Sequence, residues 1–151
     1  MNARWLVLAG LLAAGPAAAQ TDKDAILGVV GTVFRGMRTR DTALMRSTFV
    51  PQGGRLLGMA AKDGKPALEV IDPSLWIGSV GRGTGPGPDE RTFSPNVEVD
   101  DNIAHVWTYY ELWLGPKLSH CGYDSFFMVK LAEGWRIAQV ADSRRIDCKP
   151  R

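Results

Sequence analysis

The stretch His120-Cys121-Gly122-Tyr123-Asp124-Ser125-Phe126-Phe127-Met128-Val129-Lys130-Leu131, the turn Ala132-Glu133-Gly134 and the return Trp135-Arg136-Ile137-Ala138-Gln139-Val140-Ala141-Asp142-Ser143-Arg144 decide the fold. Two runs rich in aromatic and β-branched residues, separated by a short segment ending in Gly, are the pattern of a β-hairpin. Two similar runs come before it, Thr92 to Val99 and Ile103 to Leu114, with turns at Asp100-Asp101-Asn102 and Gly115-Pro116-Lys117. The C-terminal half therefore reads as a meander of four antiparallel strands.

The N-terminal half has a different period. Apolar residues at Ile26, Val29, Val30, Val33, Phe34 and Met37 mark one buried face of a helix from about Asp22 to Thr39, capped by Thr21 or Asp22. Asp41 reads as the N-cap of a short second helix carrying Ala43, Leu44 and Met45. Arg55 to Ala61 and Ala67 to Ile71 are expected as strands around Lys62-Asp63-Gly64-Lys65. Asp72-Pro73 then starts a brief helix with Leu75, Trp76 and Ile77, since proline suits a first helical position. Gly81 to Asp89 is rich in Gly and Pro; without a following Lys-Ser or Lys-Thr it reads as a mobile loop and not a phosphate cradle. Helices first and a long meander last predict an α+β fold, its helices packed on one face of a curved antiparallel sheet.

Residues 1–19 have the three parts of a cleavable signal peptide: a short basic n-region through Arg4, an apolar run from Trp5 to Leu12, and small residues ending in Ala17-Ala18-Ala19. That run is too short to span a bilayer. The expectation is a periplasmic or secreted protein with one domain over residues 20–151 and no membrane attachment after cleavage. Its 18 Lys and Arg against 16 Asp and Glu form no block of one sign, which argues against a nucleic-acid partner. Two Cys in one small exported domain, Cys121 and Cys148, most simply form a disulfide.

The segments Asn102-Ile103-Ala104-His105-Val106-Trp107, Ser119-His120-Cys121-Gly122-Tyr123-Asp124-Ser125-Phe126, Gly134-Trp135-Arg136-Ile137 and Ala141-Asp142-Ser143-Arg144, with Tyr110, resemble those of bacterial nuclear transport factor 2-like proteins, including SnoaL-like and lumazine-binding sequences. The resemblance covers Asp22 to Cys148 and implies a cone-shaped fold, a pocket enclosed by helix and sheet, and commonly a homodimer. The superfamily holds isomerases, dehydratases, cyclases and many proteins without catalysis, so fold does not choose the function. No catalytic set from its enzymes maps onto this chain residue by residue.

Strand alternation supplies candidate site residues instead. With a three-residue loop at Ala132-Glu133-Gly134, Leu131 opposes Trp135, and Asp124 faces Asp142. His120, Phe126, Met128, Ala138 and Val140 then share their side, while Cys121, Tyr123, Phe127, Val129, Leu131, Trp135 and Ile137 take the other. Two directly opposed carboxylates repel unless a proton or a cation intervenes. Two readings stay open. Asp124, Asp142 and His120 are an acid/base set in an apolar cavity, or the carboxylates pair with Arg144 or Arg145 and His120 is a buried structural group. A two-residue loop would shift the register. The same register sets Cys121 opposite Arg145, within reach of Cys148. Trp76, Tyr110 and Phe126 are the candidate pocket lining. His105 and His120 show no metal-ligand spacing and no cofactor motif is present, so neither metal nor cofactor is expected. Three functions follow: holding a small, largely apolar ligand without transforming it, the leading expectation; an isomerase, dehydratase or cyclase moving protons without a cofactor; or a structural homodimer with a filled cone.

Overall fold

The computed structural model describes residues 16–148, with side chains from Gln20 to Cys148, so most of the expected signal peptide lies outside the described residues. Three helices, α1 (Pro16–Thr39), α2 (Thr42–Thr48) and α3 (Pro73–Arg82), pack on a six-stranded sheet. The strands are β1 (Arg55–Lys62), β2 (Lys65–Ile71), β3 (Pro88–Asp100), β4 (Ile103–Leu114), β5 (Lys117–Leu131) and β6 (Gly134–Ser143). Their order is β2-β1-β6-β5-β4-β3, with β1 parallel to β6 and every other pair antiparallel. No helix among the described residues is long and apolar enough to cross a membrane.

α1 lays its predicted face, Ile26, Val30, Val33, Phe34 and Met37, into the concave side of the sheet against Val106, Phe126, Met128 and Ile137. Phe34 meets Phe126 edge to face, centroids 6.1 Å apart. The helix begins earlier than expected, at Pro16, because Ala17 to Ala19 carry strong helix propensity. Asp22 is therefore internal and does not cap. Its Oδ1 accepts hydrogen bonds from Lys130 Nζ at 2.8 Å and Trp135 Nε1 at 2.9 Å, which ties the helix to the far end of the sheet. Asp41 and Asp72 do cap, accepting from the backbone N–H of Leu44 (2.9 Å) and Ser74 (2.7 Å).

The Gly- and Pro-rich segment is shorter and better held than its composition suggests. α3 runs on through Gly81 and Arg82, β3 begins at Pro88, and only residues 83–87 are loop. The Arg40 guanidinium donates to the carbonyls of Val80, Thr84, Gly85 and Pro86, so this loop is pinned to the end of α1. Arg38 also reaches Asp89 at 3.3 Å. Arg38 and Arg40 thus act as fasteners between the end of α1 and the start of β3.

The β5–β6 register corrects one expectation and keeps another. The hairpin loop has two residues, Ala132 and Glu133, and Leu131 pairs with Gly134, not Trp135. A one-residue bulge at Ala138, between Met128↔Ile137 and Phe127↔Gln139, then restores the register, so Asp124 still opposes Asp142. Beyond the bulge the faces exchange. Trp135 and Ile137 were expected on the outer face; both lie in the core beside Met128, because only that side offers the apolar surface of α1. A second irregularity at Ser94-Pro95 interrupts β3, where proline cannot donate to the ladder. Such bulges increase local bend and twist, and the sheet curls around α1.

Cys121 pairs with Arg145 in an isolated bridge, and the Cys121–Cys148 disulfide closes just beyond it with the Cα atoms 5.8 Å apart. The C-terminal tail is thereby fixed beside the end of β6.

Candidate functional site

The cone opens as a cavity of about 330 Å³ between α1, α3 and the concave sheet face. One side is apolar and aromatic: Val33, Phe34 and Met37 from α1, Trp76 and Val80 from α3, and Phe49, Phe126 and Val140. The opposite side carries the chemistry. Glu69 from β2, Glu90 from β3, Tyr110 from β4, His120 and Asp124 from β5, Asp142 from β6 and Arg144 just after it all face the cavity.

Strand pairing explains the convergence. Asp124 lies between Thr108 and Asp142, and Glu90 opposes Leu112, which opposes His120. Side chains of one parity therefore meet on one concave surface. Two glycines make the wall close. A Cβ on Gly122 would stand 1.7 Å from the Ser143 carbonyl oxygen, so only glycine lets β6 approach there. A Cβ on Gly58 would stand 3.0 Å from Arg144 Nη2, so its absence leaves room for the guanidinium.

The two opposed aspartates have unequal environments. Asp142 is compensated: it accepts from Arg144 Nε and Nη2 and from the Tyr110 hydroxyl at 3.2 Å. Tyr110 also donates to the Ser143 carbonyl at 3.1 Å, and Arg144 reaches Glu69 at 3.8 Å. Asp124 is 2% exposed, and its Oδ2 finds no donor among the described residues. Its neighbour is the carboxyl of Glu90, and two carboxyls can hydrogen-bond only if one keeps a proton. Burial, then the Glu90 charge and that hydrogen bond, hold the Asp124 carboxyl well above the usual carboxylate range. Burial first, and the Asp142 charge behind it, push Glu90 up to about 7 against the pull of Asp124 and Arg144. Burial and the Asp142, Asp124 and Glu90 charges likewise raise Tyr110, which stays a neutral donor. His120 is shifted down by burial and by Arg144, so its ring favours the neutral form. Its Nδ1 lies 3.1 Å from Ser119 Oγ, and its ring meets Tyr110 edge to face at 5.7 Å.

All six candidates read from sequence, Trp76, Tyr110, His120, Asp124, Phe126 and Asp142, line this cavity. Asp124 faces Glu90 more consequentially than it faces Asp142, and Glu90 was missed because it sits at the edge of a segment read as loop. Arg144 does pair with Asp142, as the structural reading of that residue held, yet it remains part of the cavity wall. His105 is elsewhere, on the outer face, with Nε2 2.9 Å from Ser125 Oγ. Among the described residues no three His, Cys, Asp or Glu side chains are grouped to hold a metal ion.

Solved structures share this cone. A protein of unknown function from Shewanella baltica, described as nuclear transport factor 2-like, superposes with a TM-score of 0.65 at 15% identity, covering 85% of this chain and 97% of its own. The chain has a nuclear transport factor 2-like fold. A protein with this fold from Novosphingobium aromaticivorans gives a TM-score of 0.66 at 12% identity over 92% of this chain and 94% of that one. Another, from Streptomyces avermitilis, whose description proposes a dehydratase, gives 0.66 at 14% identity over 85% and 99%. No family model and no curated protein matches the sequence. At these identities the likeness fixes the nuclear transport factor 2-like architecture, and the chemistry must be argued from the cavity itself.

Proposed function

We propose that this is an exported enzyme of the nuclear transport factor 2-like fold that binds a small, largely apolar molecule in the cone and moves a proton on it with its own side chains. The carrying observation is Asp124, a buried carboxyl whose Oδ2 has no donor among the described residues, lining an apolar cavity beside Glu90. A cavity that only encloses an apolar body gains nothing from so costly a group, whereas a general acid or base needs its pKa near the working pH. Asp124 and Glu90 together hold the transferable proton. Tyr110, whose single hydroxyl proton is shared by Asp142 and the Ser143 carbonyl, holds the compensated aspartate in place, and neutral His120 can accept or relay.

Holding the ligand without transforming it is the second reading. It is favoured by the extent of the aromatic and aliphatic lining and requires the same cavity. Native mass spectrometry of protein taken from its own source would identify a retained molecule. Incubation of that molecule with the protein in D₂O then separates the readings. Proton transfer predicts deuterium incorporation or isomerisation that Asp124→Asn abolishes while binding persists. Binding with equal, background exchange in parent and variant would leave only the second reading, and protein that retains and accepts no small molecule would refute both.

Export is part of the proposal, supported by the leader-like residues 1–19 and by a disulfide compatible with an oxidising compartment. Sequencing of the mature N-terminus should give Gln20. Homodimerisation through the outer sheet face is supported by exposed Phe93, Trp107 and Phe127, and light scattering would read it directly.

A further inference from the structure

The charge balance of the cavity narrows the ligand class. Four carboxyl groups, Glu69, Glu90, Asp124 and Asp142, line it against one guanidinium, that of Arg144, and this cation is already engaged by Asp142 and Glu69. Among the described residues no lysine lines the cavity, and His120 adds no firm positive charge beside Arg144. An anionic ligand would therefore enter against uncompensated acids. The group left without a donor among the described residues is Asp124 Oδ2, on a side chain that is nine-tenths buried or more and lines the same cavity. The rest of the lining is equally suggestive, since Phe34, Phe49, Trp76, Tyr110 and Phe126 present aromatic rings, which attract cations through their faces.

We propose that the cavity selects an organic cation: a small, mostly apolar molecule ending in a protonated amine, its ammonium against Asp124 and Glu90 and its hydrocarbon body among Phe34, Phe126 and Trp76. This rests on the small-molecule reading above and not on turnover. An ammonium supplies the donors that Asp124 Oδ2 lacks and replaces the proton that the acid pair otherwise retains. Binding therefore releases a proton. Affinity rises with pH through the titration of the pair, by up to about tenfold per pH unit for one proton released. The groups facing the pair from neighbouring elements are Tyr110, His120, Asp142, Arg144 and Glu69, of which only Arg144 opposes a cation.

Titration calorimetry with the mature chain tests this at pH 5.5 and 8, in buffers of different ionisation enthalpy. The probes are 2-phenylethylammonium, 2-phenylethanol and 3-phenylpropanoate, close in shape and different in charge. The expected result is that the ammonium binds at least about tenfold more tightly than the alcohol at pH 8, with proton release, and that the carboxylate binds weakest. Asp124→Asn should bring ammonium and alcohol to within about threefold of each other. Equal or tighter binding of the alcohol or the carboxylate would overturn the cation inference and leave the small-molecule reading intact. An ammonium preference that survives in both Asp124→Asn and Glu90→Gln would also overturn it. Refusal of all three probes would count against both.

Discussion

Replacing Glu90 with Gln should stabilise the protein above neutral pH. Glu90 rises from an ordinary 4.5 to about 7, burial being the largest cause. Between those values the folded state keeps a proton that the unfolded chain has released. Stability contributed by this group is therefore fully present below pH 4.5 and is lost as pH rises through 7. At about 1.4 kcal/mol per pKa unit the full loss is at most about 3.5 kcal/mol, shared between Glu90 and its partner Asp124. Glu90→Gln cannot ionise, and its amide can donate to Asp124. The assay is urea unfolding of parent and variant with the disulfide intact, from pH 4.5 to 8, with exposed Glu133→Gln as a control. The variant should match the parent near pH 4.5 and exceed it by about 2–3 kcal/mol at pH 8. Parallel stability curves, or a parent that gains on the variant as pH rises, would refute the assignment of a proton-holding acid pair.

Other consequences are equally direct. The Cys121–Cys148 bond spans 27 residues, and Cys148→Ser should lower the unfolding free energy by about 3.5 kcal/mol on the loop-entropy account, read as a lower urea midpoint. Gly122→Ala places a methyl against the Ser143 carbonyl and should cost about 1–3 kcal/mol while displacing the Tyr110 hydroxyl; ultraviolet resonance of that tyrosine and ligand affinity should both change. Arg40→Ala removes three carbonyl contacts of the 83–87 loop and one with Val80 of α3, and amide exchange should quicken in the loop while the β4–β5 amides stay protected.

Much of the site was legible because strand parity is a local property. His120, Asp124 and Phe126 alternate on one strand, and this places them on one face whatever the loops do. A three-residue loop would set Asp124 opposite Asp142, and the two-residue turn with a bulge at Ala138 does the same, because the bulge restores what the shorter turn shifts. Trp135 and Ile137 went to the wrong face for the same reason, since a bulge has no signature in Ala138 itself. Glu90 was invisible in its setting of Gly and Pro, because the ladder with Leu112 that makes it a strand residue is formed by β4 and not by its own neighbours.

The period of each element, the caps at Asp41 and Asp72 and the meander follow from the sequence because they depend on residues near one another along the chain, and the β5–β6 hairpin carries Cys121 to within reach of Cys148, 27 residues on. Only the tertiary structure decided that Asp124 would be the buried acid and Asp142 the compensated one. Desolvation and charge pairing are set by what arrives from β3, β4 and the end of β6, and those distances are closed by folding alone.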